Sequence, residues 1–440
     1  MNIPIDSNII HKETEKLGLK SVGLASIREI NRIVNRVEEK TGIKYIRMEM
    51  GIPGFDSPKI AIDSEIEALK KGVGSKYPPF DGIPELKTEI SKFIKNYIDI
   101  DILPDSCFPT VGSMQGCYLA MMCTSRRIKN KNKLLFIDPG FPVNKRQAAV
   151  IGIPYDHFDV YEYRGEKLSE KLEAYLEQGN ISSLLYSNPN NPAWFCFTEQ
   201  ELETIGTLAT EHDCIVMEDL AYFGMDFRKD YSVPGKAPFI PSVAKYTDNY
   251  ILLISSSKSF SLAGQRIGMT AISDKLFNSK GDNLKQYFGS NNFGYAYIFG
   301  AMYALSSGVS HSNQWGLTAL LKAVNNGTYD FVDHVKEYGD RAKIMKKLFT
   351  ENGFNIVYDM DDDQEIADGF YFTISYPGFS GIDLVEELLF YGISAISLTT
   401  TGSNRHEGIR ACVSLTDEER FRELENRLLQ FHSDHILKTK

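Results

Sequence analysis

Between residues 105 and 275, short apolar stretches alternate with longer segments that have one polar and one apolar face. The short stretches predict strands at residues 134–137, 183–187, 214–218, 250–254 and 268–272, and the longer segments predict helices at 114–125 and 199–211. Strands separated by helices require crossover connections, so we expect an α/β fold with a mostly parallel sheet and helices on both faces. Ligands of such sheets bind beyond the carboxyl ends of the strands.

The chain on either side of this region has a different pattern. Residues 1 to about 50 read as amphipathic helix, because apolar side chains recur at helical intervals through Ile27, Ile30, Ile33, Val34 and Val37. From about residue 325, a helix at 331–353 and a strand at 369–375 predict a second, smaller unit with a mixed sheet. The acidic segment 359–368 predicts an exposed turn between them.

Length and charge bound the class of protein. A chain of 440 residues buries a large core and is expected to form two or three domains. Its net charge of −10 argues against nucleic acid or an anionic membrane as partner, and no apolar run is long enough to span a bilayer. The polar N-terminus is unlike a signal peptide, and the six cysteines and eight histidines show neither CxxC nor HExxH spacing. These features predict a cytoplasmic protein without a metal site or disulfides.

One lysine, Lys258, follows the predicted strand 250–254 in the run Ser-Ser-Ser-Lys-Ser-Phe, and Arg266 lies eight residues further on. A lysine at a strand end is the amine nucleophile that the aldehyde of pyridoxal 5′-phosphate (PLP) requires for a Schiff base. Hydroxyls such as that of Ser255, together with the guanidinium of Arg266, suit the phosphate. One lysine among 48 Lys and Arg residues is weak evidence, so the interpretation depends on other segments.

Three further candidates follow neighbouring strands. Asp219 and Tyr222 come after the strand 214–218, and Asn191 lies in the turn Ser-Asn-Pro-Asn-Asn-Pro after the strand 183–187. A carboxylate at a buried strand end keeps a pyridine nitrogen protonated, so Asp219 is a candidate partner for the PLP ring. Tyr222 and Asn191 are candidates to share its phenolic oxygen. Each also has an ordinary interpretation: Asp219 as a helix cap, Tyr222 as a core aromatic and Asn191 as part of a plain turn.

The phosphate and the ring face have their own candidates. Gly112, Ser113 and Met114 precede a helical run, and a glycine, a hydroxyl and free backbone amides at a helix start form an anion site. An ordinary serine cap explains this segment equally well. Phe141 follows the strand 134–137 and is a candidate to stack on the pyridine ring, with core packing as the alternative.

Arg410 begins an apolar strand near the C-terminus. Burying a guanidinium is costly unless a carboxylate pairs with it. That partner is either the α-carboxylate of a substrate, bound through two parallel hydrogen bonds, or an internal Glu or Asp.

Taken together, these motifs resemble the class I/II aminotransferases, a family of fold-type-I PLP enzymes, from about residue 50 to residue 414. Residues 188–193 match the family pattern N-P-x-N-P-[TA], residues 219–222 match D-x-x-Y, and residues 77–86 match Y-x(4)-G-x-x-E-L. Ser255, Lys258 and Arg266 match S-x-x-K with its following arginine. The resemblance implies a three-layer sandwich as the large domain, a smaller α+β domain, and ping-pong transfer of an amino group from an amino acid to a 2-oxo acid.

The resemblance also implies roles for further positions. Tyr77 is implied to reach the phosphate in the neighbouring subunit, which predicts a homodimer with shared active sites. The backbone of Gly51, with Arg410 and Asn191, is implied to bind the substrate. Trp194 stands where relatives carry glycine, so we expect a bulky indole near the pocket rim, within reach of the substrate. No arginine occurs between residues 266 and 341, which favours neutral or apolar amino acids over dicarboxylates.

We expect an N-terminal arm with part of the small domain at residues 1–55, the large PLP-binding domain at 56–324 and the C-terminal small domain at 325–440. A PLP-dependent lyase or decarboxylase on the same fold would use the same residues and stays open. A regulatory PLP-binding protein would need a DNA-binding domain, for which the segment before Gly51 is too short. A phosphate-binding scaffold would not need Lys258, Asp219 and Tyr222 together.

Overall fold

The computed structural model describes residues 3–436. Its helices, labelled α1 to α16 in chain order, are Ser7–Glu15, Ile27–Thr41, Lys59–Lys70, Pro84–Ile98, Gly112–Thr124, Pro142–Ile151, Lys167–Leu176, Glu199–Glu211, Asp274–Phe277, Lys285–Phe288, Phe293–Tyr295, Tyr303–Ser306, His311–Asn325, Phe331–Glu351, Gly381–Phe390 and Glu418–His435. Its strands, β1 to β15, are Ile46–Arg47, Cys107–Thr110, Lys133–Asp138, Tyr155–Asp159, Ile181–Ser187, Ile215–Leu220, Tyr250–Ser255, Gly268–Ile272, Asn355–Ile356, Met360–Asp361, Gln364–Glu365, Tyr371–Ser375, Ile393–Ser394, Ile396–Ser397 and Ile409–Cys412. None of these helices combines the length and the apolar character needed to cross a membrane.

Seven strands form the central sheet in the order β2-β8-β7-β6-β5-β3-β4. The pairings from β4 through β7 are parallel, whereas β8 is antiparallel to both of its neighbours. The predicted mostly parallel α/β sheet is confirmed, and each of the five predicted strands lies in it. The sequence interpretation missed β2, which is short and contains a proline, and β4, an edge strand in which polar residues dominate.

Alternate residues of each central strand contribute to two apolar clusters. In β7, Leu252 packs into the cluster that contains Leu202 of α8, and Leu253 packs into the cluster that contains Leu119 of α5. Neighbouring side chains of a strand point to opposite faces, so helices cover the sheet on both sides. The predicted three-layer sandwich is confirmed.

The register of the central sheet sets where the loops around the candidate residues begin. Thr110, at the end of β2, pairs with Gly268 at the start of β8, and Gly268 pairs with Ser255 at the end of β7. Asp219 in β6 pairs with Ser187 at the end of β5. The loops after β2, β5, β6 and β7 therefore leave the sheet at one edge, where the loop before β8 also arrives. This is the carboxyl edge of the parallel strands.

A smaller sheet lies in the C-terminal part of the chain, in the order β14-β15-β12-β9, with antiparallel pairings throughout. The strand β1 pairs in parallel with β13, which ties the N-terminal segment to this unit. The predicted smaller α+β unit is confirmed. We propose the domain segments 1–55, 56–324 and 325–440 on this basis; residues 1–2 and 437–440 lie outside the described part.

The acidic segment 359–368 contains the exposed turn that its composition predicts, at residues 362–363, but one of its acids is buried. It forms a hairpin of β10 and β11, in which the Asp361 side chain is 1 % exposed. Nη2 of Arg164 lies 3.0 Å and Nη2 of Arg228 lies 2.7 Å from the oxygens of this carboxylate, and the backbone N–H of Cys196 donates to it. The expectation of exposure is wrong for Asp361 because two arginines distant in sequence neutralise a buried acid.

Removal of this carboxylate is expected to destabilise the fold. Asp361→Ala leaves Arg164 and Arg228 with one acid partner fewer, and breaking a buried ion pair costs about 3 kcal/mol. Asp363→Ala, on the exposed turn of the same hairpin, should change the free energy of unfolding by less than about 0.5 kcal/mol. Denaturant unfolding of the two variants measures both values, and equal unfolding midpoints would contradict the assignment.

Candidate active site

Lys258 lies three residues beyond β7, within a cluster of polar groups at the carboxyl edge of the sheet. Burial lowers the pKa of its ammonium to about 8, with Arg266 and Arg410 acting in the same direction while Cys412 and Asp219 oppose them. A lysine with this pKa has a substantial unprotonated fraction near neutral pH, and the unprotonated amine is the nucleophile. The structure therefore brings Lys258, Asp219, Arg266 and Arg410 into one electrostatic neighbourhood.

The Asp219 carboxylate lies in β6, and its Oδ1 atom is buried with no hydrogen-bond partner among residues 3–436. Burial raises the pKa of this carboxyl to about 7, although the charge of Lys258 and the backbone N–H of Ala221 act against the rise. A buried carboxylate oxygen without a donor is costly unless a ligand supplies one. A protonated pyridine nitrogen is a donor of the required kind.

Tyr222 and Asn191 are both buried and both held by neighbours. The Tyr222 hydroxyl donates to the Tyr371 hydroxyl oxygen at 2.9 Å. The backbone N–H of Asn191 donates to Oγ of Ser187 at 3.0 Å, which fixes the turn after β5. Oδ1 of Asn191 accepts from Nη1 of Arg410 at 3.1 Å, so its amide NH₂ is the group that remains for a ligand.

Arg410 lies on β15 and is 1 % exposed. Its Nη2 donates to the backbone carbonyl of Glu49 at 2.6 Å, and its Nε is buried without a partner. The Tyr371 ring packs against the guanidinium, with 4.3 Å between Cζ and the ring centroid. Within the described chain, no carboxylate oxygen lies within 4.0 Å of this guanidinium. The internal salt bridge that the sequence left open is therefore absent there, although the buried Glu49 carboxylate interacts electrostatically with Arg410. A substrate carboxylate as its partner stays a proposal.

The start of α5 forms a cradle for an anion. The helix begins at Gly112 and no side chain caps it, so the backbone N–H groups of Ser113 and Met114 lack a side-chain acceptor. A Cβ at Gly112 would lie 2.6 Å from Nη2 of Arg266, which shows how closely the guanidinium approaches the helix start. Amides at a helix N-terminus and an adjacent guanidinium are a phosphate site. Ser255 is buried at the neighbouring strand end.

Three other predicted residues lie around this cluster. Phe141 is half-buried at the start of α6, just after β3. The backbone of Gly51 packs against Tyr371, because a Cβ at Gly51 would overlap the tyrosine hydroxyl. Tyr77 is 90 % exposed in the single chain, so its predicted role depends on a second subunit.

Trp194 is not at a pocket rim. The side chain is 0 % exposed, and its indole packs edge-to-face against Tyr222 and Tyr371, with centroid distances of 5.3 Å and 6.0 Å. The expected rim position is wrong because Gly369 leaves space for the indole, which a Cβ there would overlap. Direct contact between Trp194 and a substrate stays a proposal.

The sequence interpretation missed Tyr371 and Cys412. The Tyr371 hydroxyl accepts a hydrogen bond from Tyr222, and Cys412 opposes the lowering of the Lys258 pKa. Strand alternation offered a signal for Cys412, since it lies two residues from Arg410 and so on the same face of β15. Tyr371 had no such signal, because only the pairing of β12 with β15 places it beside Cys412.

These residues fit PLP as a resident cofactor. The unpartnered Oδ1 of Asp219 suits the ring nitrogen, and the uncapped start of α5 beside Arg266 suits the phosphate. Lys258 would supply the amine for the aldehyde. Tyr222 and Asn191 would supply donors for the phenolic oxygen.

The pKa of Lys258 predicts how fast the apo-protein captures PLP. Because only the unprotonated amine attacks the aldehyde, the rate of attachment should rise about tenfold per pH unit below pH 8 and level off above it. The growth of visible absorbance after mixing measures this rate, and Lys258→Arg should show none. A rate that keeps rising towards the ordinary lysine value of 10.5 would contradict the effect of burial.

Comparison with known proteins places the chain in a family. Residues 43–428 match the family model described as aminotransferase class I and II. The chain is 24 % identical over 412 residues to an aspartate aminotransferase of Pyrococcus horikoshii, and the aligned region covers 92 % of this chain and 93 % of the relative. It is 30 % identical over 259 residues to aromatic-amino-acid aminotransferase 2 of Thermococcus litoralis, and the aligned region covers 58 % of this chain and 62 % of the relative.

A solved structure shares the fold. An aspartate aminotransferase of Thermotoga maritima superposes with a TM-score of 0.74 at 19 % identity, over 93 % of this chain and 97 % of that one. The resemblance stated from the motifs is therefore confirmed, and with it the PLP dependence. The chain belongs to the class I and II aminotransferases and is a PLP-dependent transaminase.

Proposed function

We propose that this enzyme moves the α-amino group of an amino acid to a 2-oxo acid by a ping-pong mechanism, with Lys258 as catalytic base and Arg410 as the carboxylate site. The observation that carries the proposal is the buried guanidinium of Arg410, which has no acid within ion-pair distance in residues 3–436. Amino acids and 2-oxo acids share the carboxylate that would complete it, and a bidentate pair of this kind is strong. The charge of Arg410 also acts on Lys258, so the two groups belong to one site.

The proposed mechanism uses each buried group once. PLP, when bound, supplies the electron sink that stabilises charge at the substrate α-carbon. Nζ of Lys258, which is unprotonated in a larger fraction of molecules because burial lowers its pKa to about 8, takes the α-proton and returns it in the second half of the transfer. Asp219 holds the ring nitrogen, and Tyr222 with Asn191 holds the phenolic oxygen. The groups assigned to the phosphate are Gly112, Ser113, Met114, Ser255 and Arg266, while Phe141 is assigned to the ring face.

The lyase or decarboxylase alternative is not favoured. The relatives reported above are named as aminotransferases, and the family match spans most of the chain. The proposal therefore keeps the transfer reaction and leaves the amino donor to experiment.

The assembly we propose is a homodimer with shared active sites. Support comes from an aromatic surface on the single chain, formed by the exposed Tyr295, Phe299 and Tyr303 together with the half-buried Phe80. Tyr295 contacts Phe299, and Phe80 contacts both Phe299 and Tyr303, so these four rings are contiguous. Exposed apolar patches of this kind mark protein–protein interfaces. Tyr77 is 90 % exposed and precedes Phe80 by three residues in the sequence, and we propose that it reaches the phosphate of a partner.

We further propose a neutral or apolar amino donor and a cytoplasmic location. The sequence has no arginine between residues 266 and 341 to pair with a second substrate carboxylate. The Tyr371 ring packs on the Arg410 guanidinium and in turn contacts the rings of Trp194 and Tyr222. The cysteines are all free thiols, as expected in a reducing compartment.

A half-reaction assay tests the transfer and its residues. Holo-protein mixed with each amino acid should lose the absorbance of lysine-bound PLP and gain that of the amine form, with a 2-oxo acid as product and no ammonia. Lys258→Ala should abolish this conversion. Arg410→Gln should lower kcat/KM about a hundredfold, as loss of a buried charge pair does.

The matched control for the second variant is Arg405→Gln, since Arg405 is partly exposed and pairs with Glu162. It should keep kcat/KM within about twofold, as surface substitutions do. Retained conversion by Lys258→Ala, or equal activity of the two arginine variants, would refute the assignment. Release of pyruvate and ammonia from serine or cysteine would indicate a lyase instead.

Sedimentation equilibrium tests the dimer. Phe299→Asp places a charge in the aromatic surface, so we expect it to give a monomer with weakened PLP binding, because the partner's Tyr77 no longer reaches the phosphate. Val150→Glu is the control, since Val150 is 72 % exposed on α6 and should leave the assembly unchanged. A fully active monomeric wild-type protein would contradict shared sites.

A further inference from the structure

Tyr371 connects the two halves of the active site. Its hydroxyl oxygen accepts from Tyr222, the proposed donor to the cofactor, and its ring packs against the guanidinium of Arg410, the proposed carboxylate site. The phenol is held in place by Trp194, which packs against both tyrosines, and by Gly51, where a Cβ would overlap the hydroxyl. These four neighbours therefore fix the position of Tyr371.

Tyr222 and Tyr371 have two hydroxyl protons between them, and only one has a hydrogen-bond acceptor in the described chain. A tyrosine hydroxyl donates one hydrogen bond and accepts others. Tyr222 donates to Tyr371, whereas Tyr371 makes no donor contact with the rest of residues 3–436. Both side chains are buried, and buried donors are nearly always satisfied. One O–H therefore lacks an acceptor in this arrangement.

Reversal of the pair removes this deficit. When the Tyr222 hydroxyl donates to the phenolic oxygen of PLP, its own oxygen becomes free to accept from Tyr371. Each proton then has an acceptor, and the two hydrogen bonds polarise one another, which strengthens the terminal donor. Burial raises the pKa of Tyr371 to about 12, so this phenol keeps its proton at neutral pH and is able to donate.

We infer that Tyr371 is a positioning residue, whose hydroxyl donates to Tyr222 in the loaded enzyme and strengthens the hydrogen bond that Tyr222 makes to the cofactor. The inference rests on the role proposed above for Tyr222. The ring of Tyr371 also packs on Arg410. Tyr371 therefore links the site proposed for the substrate carboxylate to the site proposed for the phenolic oxygen of the cofactor. Besides Tyr222, the charged or titratable groups that face Tyr371 are Arg410 and Cys412.

The test is the pH titration of the visible absorbance of lysine-bound PLP. A donor to the phenolic oxygen stabilises the unprotonated chromophore, so weakening that donor raises the titration midpoint. Tyr371→Phe keeps the ring and removes only the hydroxyl. We expect the midpoint to rise by about 0.5–1 pH units, the equivalent of one ordinary hydrogen bond. Tyr222→Phe should raise it further, and the double variant should match Tyr222→Phe alone.

Three outcomes separate the inference from the proposed function. An unchanged midpoint in Tyr222→Phe would refute the proposed role of Tyr222 and this inference with it. A shift in Tyr222→Phe but none, or a fall, in Tyr371→Phe would refute the inference alone. Additive shifts in the double variant would also refute it, since they would mean that Tyr371 does not act through Tyr222.

Stability controls complete the design. Tyr45→Phe removes another buried hydroxyl, which donates to the Leu389 carbonyl at 2.8 Å away from the site. Its thermal unfolding as apo-protein should match that of Tyr371→Phe, and its absorbance midpoint should equal the wild-type value. Gly51→Ala provides an independent route if Tyr371→Phe folds poorly, because the added methyl displaces the tyrosine hydroxyl. It should also raise the midpoint; a wild-type midpoint would count against the inference.

Discussion

Asp219, Lys258 and Arg410 lie in one electrostatic neighbourhood beside the carboxyl edge of the central sheet, and within the described chain Oδ1 of Asp219 and Nε of Arg410 make no hydrogen bond. Taking a charge out of water without a counterion costs several kcal/mol, and burial accordingly shifts the pKa of Asp219 to about 7 and that of Lys258 to about 8, although the two groups attract one another. A pyridine nitrogen, an aldehyde and a substrate carboxylate are the complementary groups. Ligands that complete such a site stabilise the folded state by mass action, so cofactor binding and folding are linked.

The pairing of strands in the two sheets determines where Asp219, Lys258 and Arg410 lie. The central sheet places the strand ends before Lys258 and before the phosphate cradle side by side, because Thr110, Gly268 and Ser255 pair in a row. The smaller sheet contributes Arg410, whose hydrogen bond to Asn191 crosses from one unit to the other. The buried acid in the hairpin of β10 and β11 reinforces that junction through arginines of the large unit.

Most of this site could be predicted from sequence because its members lie at or just beyond the carboxyl ends of mainly apolar strands. Asp219 lies near the end of β6 and Lys258 lies three residues beyond β7, and the edge where they meet follows from parallel topology. Tyr371 could not be found, since its role depends on the pairing of β12 with β15 and on a partner 149 residues away. The burial of Asp361 and of Trp194 could not be predicted for a related reason: acidic composition and local motif say nothing about a distant arginine or about the space that a glycine leaves.

Covalent attachment at Lys258 is the claim on which the account depends most. The direct measurement is borohydride reduction of the holo-protein followed by mass spectrometry of its peptides. The account predicts a single phosphopyridoxyl adduct on the peptide that contains Lys258. An adduct on another lysine, or a protein that stays colourless with PLP and yields no adduct, would contradict it.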